Sequence, residues 1–312
     1  MTVDSVVKGI NSEGVVVEWT KVKALGSGSY GQVHLVKFPT LVSSYHFFAV
    51  KSSVYSRSDS IQKELHILQE FYGCNNIVRC YGGAVSIEKG VQFYNLFLEY
   101  ASHGTLLDLI EKYGGKIPEQ VVKCYTKMLL EGLRCIHTKG YVHCDLKPEN
   151  ILVFSRCGTY VILKIADFGL VRRVNENYVV KKMPKKIRFP GTPLYMPPET
   201  VVGDKISCAL DIWSLGCIVL QMITGKRPWE HTEDKMDLAV KILCSRCPPN
   251  KIPKTLSSEG KDFLTKCFTR EPSERWTADM LLSHPFITPT QEECDDCLPS
   301  IEEIEARLSD FL

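Results

Sequence analysis

Four residues in two neighbouring segments of the chain have types and spacing suited to moving a phosphoryl group. His143-Cys144-Asp145-Leu146-Lys147-Pro148-Glu149-Asn150 is followed, after one strand-length interval, by Asp167-Phe168-Gly169. Phosphoryl transfer runs through a loose, highly charged transition state, so a protein mainly positions groups and neutralises charge. Asp145 is suited to orient an incoming hydroxyl and accept its proton. Lys147, two residues on, can stabilise charge moving onto the γ-phosphate. Asn150 and Asp167 offer the hard oxygens that hold Mg2+ against the phosphates of ATP.

A glycine-rich stretch upstream supplies the phosphate-facing backbone this chemistry needs. Leu25-Gly26-Ser27-Gly28-Ser29-Tyr30-Gly31-Gln32-Val33 contains GxGxxG, which alone also fits a dinucleotide-binding turn opening a helix. Here Val33-His34-Leu35-Val36 alternates as a strand, so the glycines are expected at a hairpin tip, with amide N–H groups free to meet phosphates. The next predicted strand, Phe47-Phe48-Ala49-Val50-Lys51, ends on a lysine in an apolar run. A buried ammonium is costly without anions beside it. Glu64 is the natural protein-side partner, in a helical pattern with Ile61, Leu65 and Leu68; a solvated glutamate on a helix face is the alternative.

The positioning elements follow in order. Asn95 to Ala101 reads as a buried strand, and Glu119 to His137 as a helix started by Pro118 and leading to the Asp145 loop. Short strands at 151–153 and 161–165 flank that loop. A largely apolar helix begins at Asp211, which can cap it or anchor the loop backbone.

In this order the motifs resemble a eukaryotic protein kinase domain over residues 18–287. The resemblance implies an α+β, bilobal protein kinase fold: a leader at 1–17 with room for one added strand, a small β-rich N-lobe with one main helix at 18–98, the hinge and a larger, mainly helical C-lobe at 99–287, and an acidic tail at 288–312. It implies ATP and Mg2+ as cofactors, with Asp145, Lys147, Asn150, Lys51 and Glu64 catalytic and Asn150 and Asp167 on the metal. ATP would be enclosed by Leu25, Gly26, Ser27, Gly28, Ser29, Tyr30, Gly31, Val33, Ala49, Lys51 and Leu152. Leu98 would lie behind the adenine, the backbone of Glu99 and Ala101 would meet its edge, and Asp167 would sit at the phosphates.

Lys147 and Gly191-Thr192-Pro193 ahead of Pro197-Pro198-Glu199 resemble the serine/threonine branch, with Gly191 and Thr192 in a substrate-docking turn. Ala49 to Ser53, Ile77 to Cys80, Tyr94 to Ala101 and Gly191 to Met196 resemble plant mitogen-activated protein kinase kinase kinases. That implies a protein substrate, itself a kinase kinase, in stress or hormone signalling. The alternatives are a pseudokinase-like scaffold, against which the complete active-site set argues, a serine/threonine kinase with another substrate class, and a small-molecule kinase, disfavoured by the segment 191–199.

Two positions depart from the family pattern. Pro197 replaces the alanine before Pro-Glu, with Glu199 still expected to pair with Arg275. Cys144 replaces the arginine before the catalytic aspartate, which commonly grips an activation-segment phosphate. The basic run Arg172, Arg173, Lys181, Lys182, Lys185, Lys186 and Arg188 reads as a solvated loop or a dock for acidic substrate. The formal charge is +2 over 312 residues, giving no global signal for nucleic acid or membrane. Without a basic secretory start or an 18-residue apolar run, the expectation is a cytoplasmic or nuclear protein. Its 13 cysteines show no disulfide framework, and Cys244/Cys247 and Cys294/Cys297 read as chance spacing more than as a zinc site. In the tail, Ile301, Ile304, Leu308 and Phe311 share one helical face. A helix at 300–312 is expected to dock on the kinase domain or on a partner.

Overall fold

The computed structural model describes residues 5–28, 31–39, 45–156, 160–176, 181–183, 186–188, 191–203, 206–229, 235–245 and 247–288. Ser29 and Tyr30, Tyr178, Lys185, Cys294, Cys297 and the tail helix at 300–312 lie outside these residues. The chain divides into two compact units, Met1–Ser102 with Asp167–Gly169, and His103–Ala166 with Leu170–Leu312.

The first unit is a closed six-stranded barrel. Its strands are β1 (Ser5–Asn11), β2 (Val16–Gly28), β3 (Gly31–Pro39), β4 (Tyr45–Val54), β5 (Cys80–Glu88) and β6 (Val91–Glu99), in the order β1-β2-β3-β4-β6-β5. Strand β1 pairs antiparallel with both β2 and β5 and closes the barrel, so the strand that the leader had room to add is part of this unit. The unit also extends past residue 98 to Ser102 and takes in 167–169, because Glu64 binds the backbone N–H of Phe168.

Alternation along the strands places Trp19, Val36, Val50, Ala84 and Phe97 together in the core. The rings of Trp19 and Phe97 meet edge to face with centroids 5.1 Å apart. Helix α1 (Asp59–Glu70) buries Ile61, Glu64, Ile67 and Leu68 on one face, so Glu64 is not the solvated glutamate of the alternative reading.

The second unit is mainly helical. Helix α2 (Leu106–Lys112) starts from a capping box in which Thr105 and Asp108 exchange hydrogen bonds. Helix α3 (Glu119–Thr138) follows Pro118 as expected. Strand β7 (Tyr141–Val142) leads into the Asp145 loop, and β8 (Ile151–Arg156) pairs with β9 (Tyr160–Ile165) beyond it. Then come β10 (Arg172–Arg173), paired with β7, and a two-stranded ladder of β11 (Lys181–Met183) and β12 (Lys186–Arg188). The basic run is therefore partly a hairpin and not a plain loop; the lysine-rich composition concealed its strand character.

Helices α4 (Pro198–Val202), α5 (Ala209–Thr224), α6 (Lys235–Cys244), α7 (Ser258–Cys267) and α8 (Ala278–Leu282) complete the unit. Helix α5 is buried on all sides from Leu210 to Met222, as its composition requires. Among the described residues no helix is long and apolar enough to cross a membrane.

Candidate active site

Within the first unit, β4 and α1 bring Lys51 and Glu64 together. The Lys51 ammonium donates to Glu64 Oε2 at 2.7 Å and to Asp167 Oδ1 at 2.7 Å. Glu64 is 1 % exposed, and its other oxygen accepts the Phe168 N–H at 3.0 Å. Both carboxylate oxygens are therefore engaged, which offsets much of the cost of burying the charge. Burial by itself would lower the Lys51 pKa, but Glu64 and Asp167 outweigh it and hold the ammonium above its usual value. The same burial, partly relieved by Lys51, raises the Glu64 carboxyl.

Asp167 adopts φ +62°, a left-handed conformation that a non-glycine residue holds only when its surroundings enforce it. The hairpin of β2 and β3 carries the glycines, with Gly26 opposite Val33 and Gly28 opposite Gly31. Ala49 and Leu98, both nearly buried, face one another across β4 and β6. The Glu99 N–H already donates to the Arg79 carbonyl at 2.9 Å, so any contact of the Glu99 backbone with a base edge falls to its carbonyl. Leu25 is exposed, Val33 and Ala101 are half-buried, and Ala101 lies just beyond the end of β6.

Within the second unit, Asp145 is the centre of a dense hydrogen-bond set. Its Oδ1 accepts both the backbone N–H and the hydroxyl of Thr192, each at 2.8 Å. Its Oδ2 lies 3.0 Å from the Lys147 ammonium and accepts the Asn150 amide at 3.1 Å. Lys147 also donates to Thr192 Oγ1 at 2.9 Å, closing a triangle of Asp145, Lys147 and Thr192. Asn150 spends its NH2 on Asp145, through Oδ2 and through the backbone carbonyl at 2.8 Å, which leaves its amide oxygen as the end a cation would meet. Leu152, on β8, is half-buried and bridges to Thr105.

Asp211 holds the loop from below. Its fully buried carboxylate accepts the N–H of His143 at 2.8 Å and of Cys144 at 3.0 Å, and it lies 2.9 Å from His137 Nε2. Of the two roles open in the sequence, anchoring is the one present; Cys208 stands at the N-cap of α5 with no side-chain cap. His143 Nε2 donates to the carbonyl of Ala166, the residue before Asp167, at 3.0 Å. Gly191 has φ +109°, and a Cβ there would lie 2.8 Å from the Cys144 carbonyl oxygen, so only glycine lets the turn reach the loop.

Two structural supports were not legible in the motifs. Glu64 orients the backbone after Asp167 as well as Lys51, a contact made through a main-chain N–H and so invisible in residue types. Asn95, Ser52 and Ser86 form a buried polar layer inside the barrel. Their signal was a polar residue at inward positions of otherwise apolar strands.

The residues 19–287 match the protein kinase domain. The chain belongs to the protein kinase family, and it is an enzyme, a serine/threonine protein kinase. It is 41 % identical over 287 residues to mitogen-activated protein kinase kinase kinase 20 of Arabidopsis thaliana, covering 89 % of this chain and 80 % of that protein. It is 39 % identical over 276 residues to kinase kinase kinase 17 of the same plant, covering 87 % and 70 %. With human mitogen-activated protein kinase kinase kinase 4 the identity is 33 % over 287 residues, 89 % of this chain but 17 % of that protein.

Proposed function

We propose that this kinase acts as a mitogen-activated protein kinase kinase kinase, transferring the γ-phosphate of ATP to a serine or threonine of a kinase kinase in plant stress or hormone signalling. The observation that carries the chemistry is the Asp145 carboxylate, held on one oxygen by Thr192 and on the other by Lys147 and Asn150. Three partners fix the plane of this carboxylate, which orients it toward a substrate hydroxyl whose proton it would take. The substrate class is supported by the Arabidopsis relatives, which align along most of their own length.

The donor set fits Mg2+. Asn150 presents an amide oxygen and Asp167 a carboxylate of which Oδ1 is on Lys51; both are hard oxygen ligands. When bound, the ion supplies positive charge to the phosphates. Lys51 is held charged by Glu64 and Asp167 and is suited to the α- and β-phosphates, while Lys147 neutralises charge developing on the transferred group. A bilobal kinase fold, with the barrel as the small lobe and Ala49 and Leu98 contributing to the adenine site, is part of this proposal, as is a cytoplasmic or nuclear setting.

The test incubates the purified chain with Mg-ATP and a panel of catalytically inactive kinase kinases, reading phosphate on each activation loop by mass spectrometry. Modification of a kinase kinase by the wild type and not by Asp145→Asn supports the proposal. Transfer only to unrelated proteins overturns the substrate class.

A further inference from the structure

We propose that Asn95 is a positioning residue for Lys51 and for the glycine turn. Inward positions of the barrel change character along its length. On β4 the inward series runs from Val50 to Ser52, on β5 from Ala84 to Ser86, and on β6 from Phe97 to Asn95. Asn95 is fully buried, and both ends of its amide are used. Its Oδ1 accepts the Ser52 hydroxyl at 2.7 Å, and its Nδ2 donates to Ser86 Oγ at 2.9 Å and to the Ala84 carbonyl at 3.3 Å. The chain of contacts continues from Ser86 to Glu88 at 3.4 Å and from Glu88 to Lys21 at 2.6 Å.

Apolar side chains of similar volume would stabilise such an interior at least as well, but they would not specify strand register. Ser52 and Asn95 are direct partners across β4 and β6, and Lys51 is opposite Leu96. A slip of one residue would turn Lys51 into the barrel and away from Glu64. The hydrogen bond between Ser52 and Asn95 therefore selects the register in which the ammonium faces Glu64 and Asp167. The carbonyl of Ser52 also lies so close to Gly31 that a Cβ there would collide with it. One residue thus lines the end of the glycine turn with its main chain, pairing with Gln32 across β3 and β4, and is held by Asn95 through its side chain.

This inference rests on the role given to Lys51, so Lys51→Met is assayed beside the new variants. Steady-state kinetics on the full chain vary Mg-ATP and a catalytically inactive kinase kinase separately, with thermal midpoints recorded. Asn95→Leu, and the smaller change Ser52→Ala, are expected to lower kcat/KM for ATP by about tenfold, the scale of one buried hydrogen bond, with KM for the protein substrate unchanged. Trp19→Phe, in the apolar layer of the same barrel, lowers the midpoint and leaves kcat/KM for ATP within twofold. If both polar variants keep wild-type kcat/KM for ATP, or Trp19→Phe loses as much as they do, Asn95 is only a stabilising residue and the proposal falls. Full activity in Lys51→Met would instead overturn the role of the lysine itself.

Discussion

Thr192 donates its hydroxyl and its backbone N–H to the same oxygen of Asp145, each at 2.8 Å, and accepts from Lys147 at 2.9 Å. The turn that would receive a protein substrate is thereby tied to the residue that would take the substrate's proton. A phosphate on Thr192 would set a dianion against the Asp145 carboxylate and draw Lys147 away from it. Thr192→Ser should keep near-normal turnover. Thr192→Ala removes a hydrogen bond to a charged group and should lower kcat roughly tenfold or more. Thr192→Asp should be the least active of the three. Initial rates on one protein substrate rank them, and an active Thr192→Asp would refute the inhibitory reading.

The pairing of Lys51 with Glu64 makes a graded prediction. Lys51→Met leaves two carboxylates facing each other without a cation and should reduce kcat/KM by roughly 10²-fold or more, the usual scale for a positioned charged group in transfer. Glu64→Ala keeps the contact of Lys51 with Asp167 but removes the carboxylate that accepts the Phe168 N–H, so it should cost less activity while lowering the thermal midpoint. Equal rates for Glu64→Ala and wild type would show that the bond to Asp167 is sufficient.

The sequence announced the active-site residues more completely than the scaffolding. Asp145, Lys147, Asn150 and Thr192 are legible because their spacing within and beyond one loop is set by chemistry, and the structure brings them to within hydrogen-bond distance. Glu64 could be chosen only by its helical phase relative to Ile61 and Leu68. Strand β1 was harder to place, since barrel closure depends on pairing with β5, far along the chain, which no local pattern reports. The β11–β12 hairpin was hidden by composition, because charge and strand pairing are both compatible with a lysine run. Asp211 was legible as a residue but not as a role: capping and anchoring need the same carboxylate at the same helix start.

Arg275 and Glu199 form a bidentate pair at 2.6 and 3.2 Å, with the guanidinium also donating to the carbonyls of Thr269 and Ala209 and lying over Trp213. The Arg275 side chain is fully buried. Arg275→Met would leave a nearly buried carboxylate and the carbonyls of Thr269, Ala209 and Arg270 without their donor, a loss of about 3–5 kcal/mol. Denaturant unfolding should show this as a lower midpoint. Arg275→Lys should recover only part of it, since an ammonium cannot reproduce the two-pronged contact.

Cys144 is not merely a missing cation. Its side chain is 5 % exposed in a cluster with Val142, Ile206 and Leu210, and burial raises its thiol well above the ordinary range. It should therefore resist iodoacetamide at neutral pH while the exposed Cys244 and Cys247 react, as mass spectrometry of the labelled native protein can show. Cys144→Arg should destabilise the fold by forcing a guanidinium into this apolar cluster, instead of creating a phosphate receiver. Rapid labelling of native Cys144 would contradict the packing.

The same cluster bears on activation. Between Asp167 and Glu199 the only serine or threonine is Thr192, whose hydroxyl is already committed to Asp145. The segment after Asp167 is instead held by contacts that need no phosphate. Strand β10 pairs with β7, Val174 packs on the Cys144 cluster, and the main chain of Asn175 and Glu176 exchanges hydrogen bonds with Ile206 at 2.8 and 2.9 Å. Apolar packing and backbone bonds are present as soon as the chain folds, whereas an arginine-gripped phosphate has to be installed. Recombinant kinase treated with phosphatase should therefore keep substantial activity on a protein substrate, within about threefold of the untreated enzyme, since no charge-assisted phosphate contact is lost. Mass spectrometry of residues 167–199 and a Tyr178→Phe control accompany the comparison. If activity disappears on dephosphorylation and returns with modification of Thr192 or Tyr178, the segment is ordered by phosphate after all and the apolar anchoring of Cys144 is insufficient.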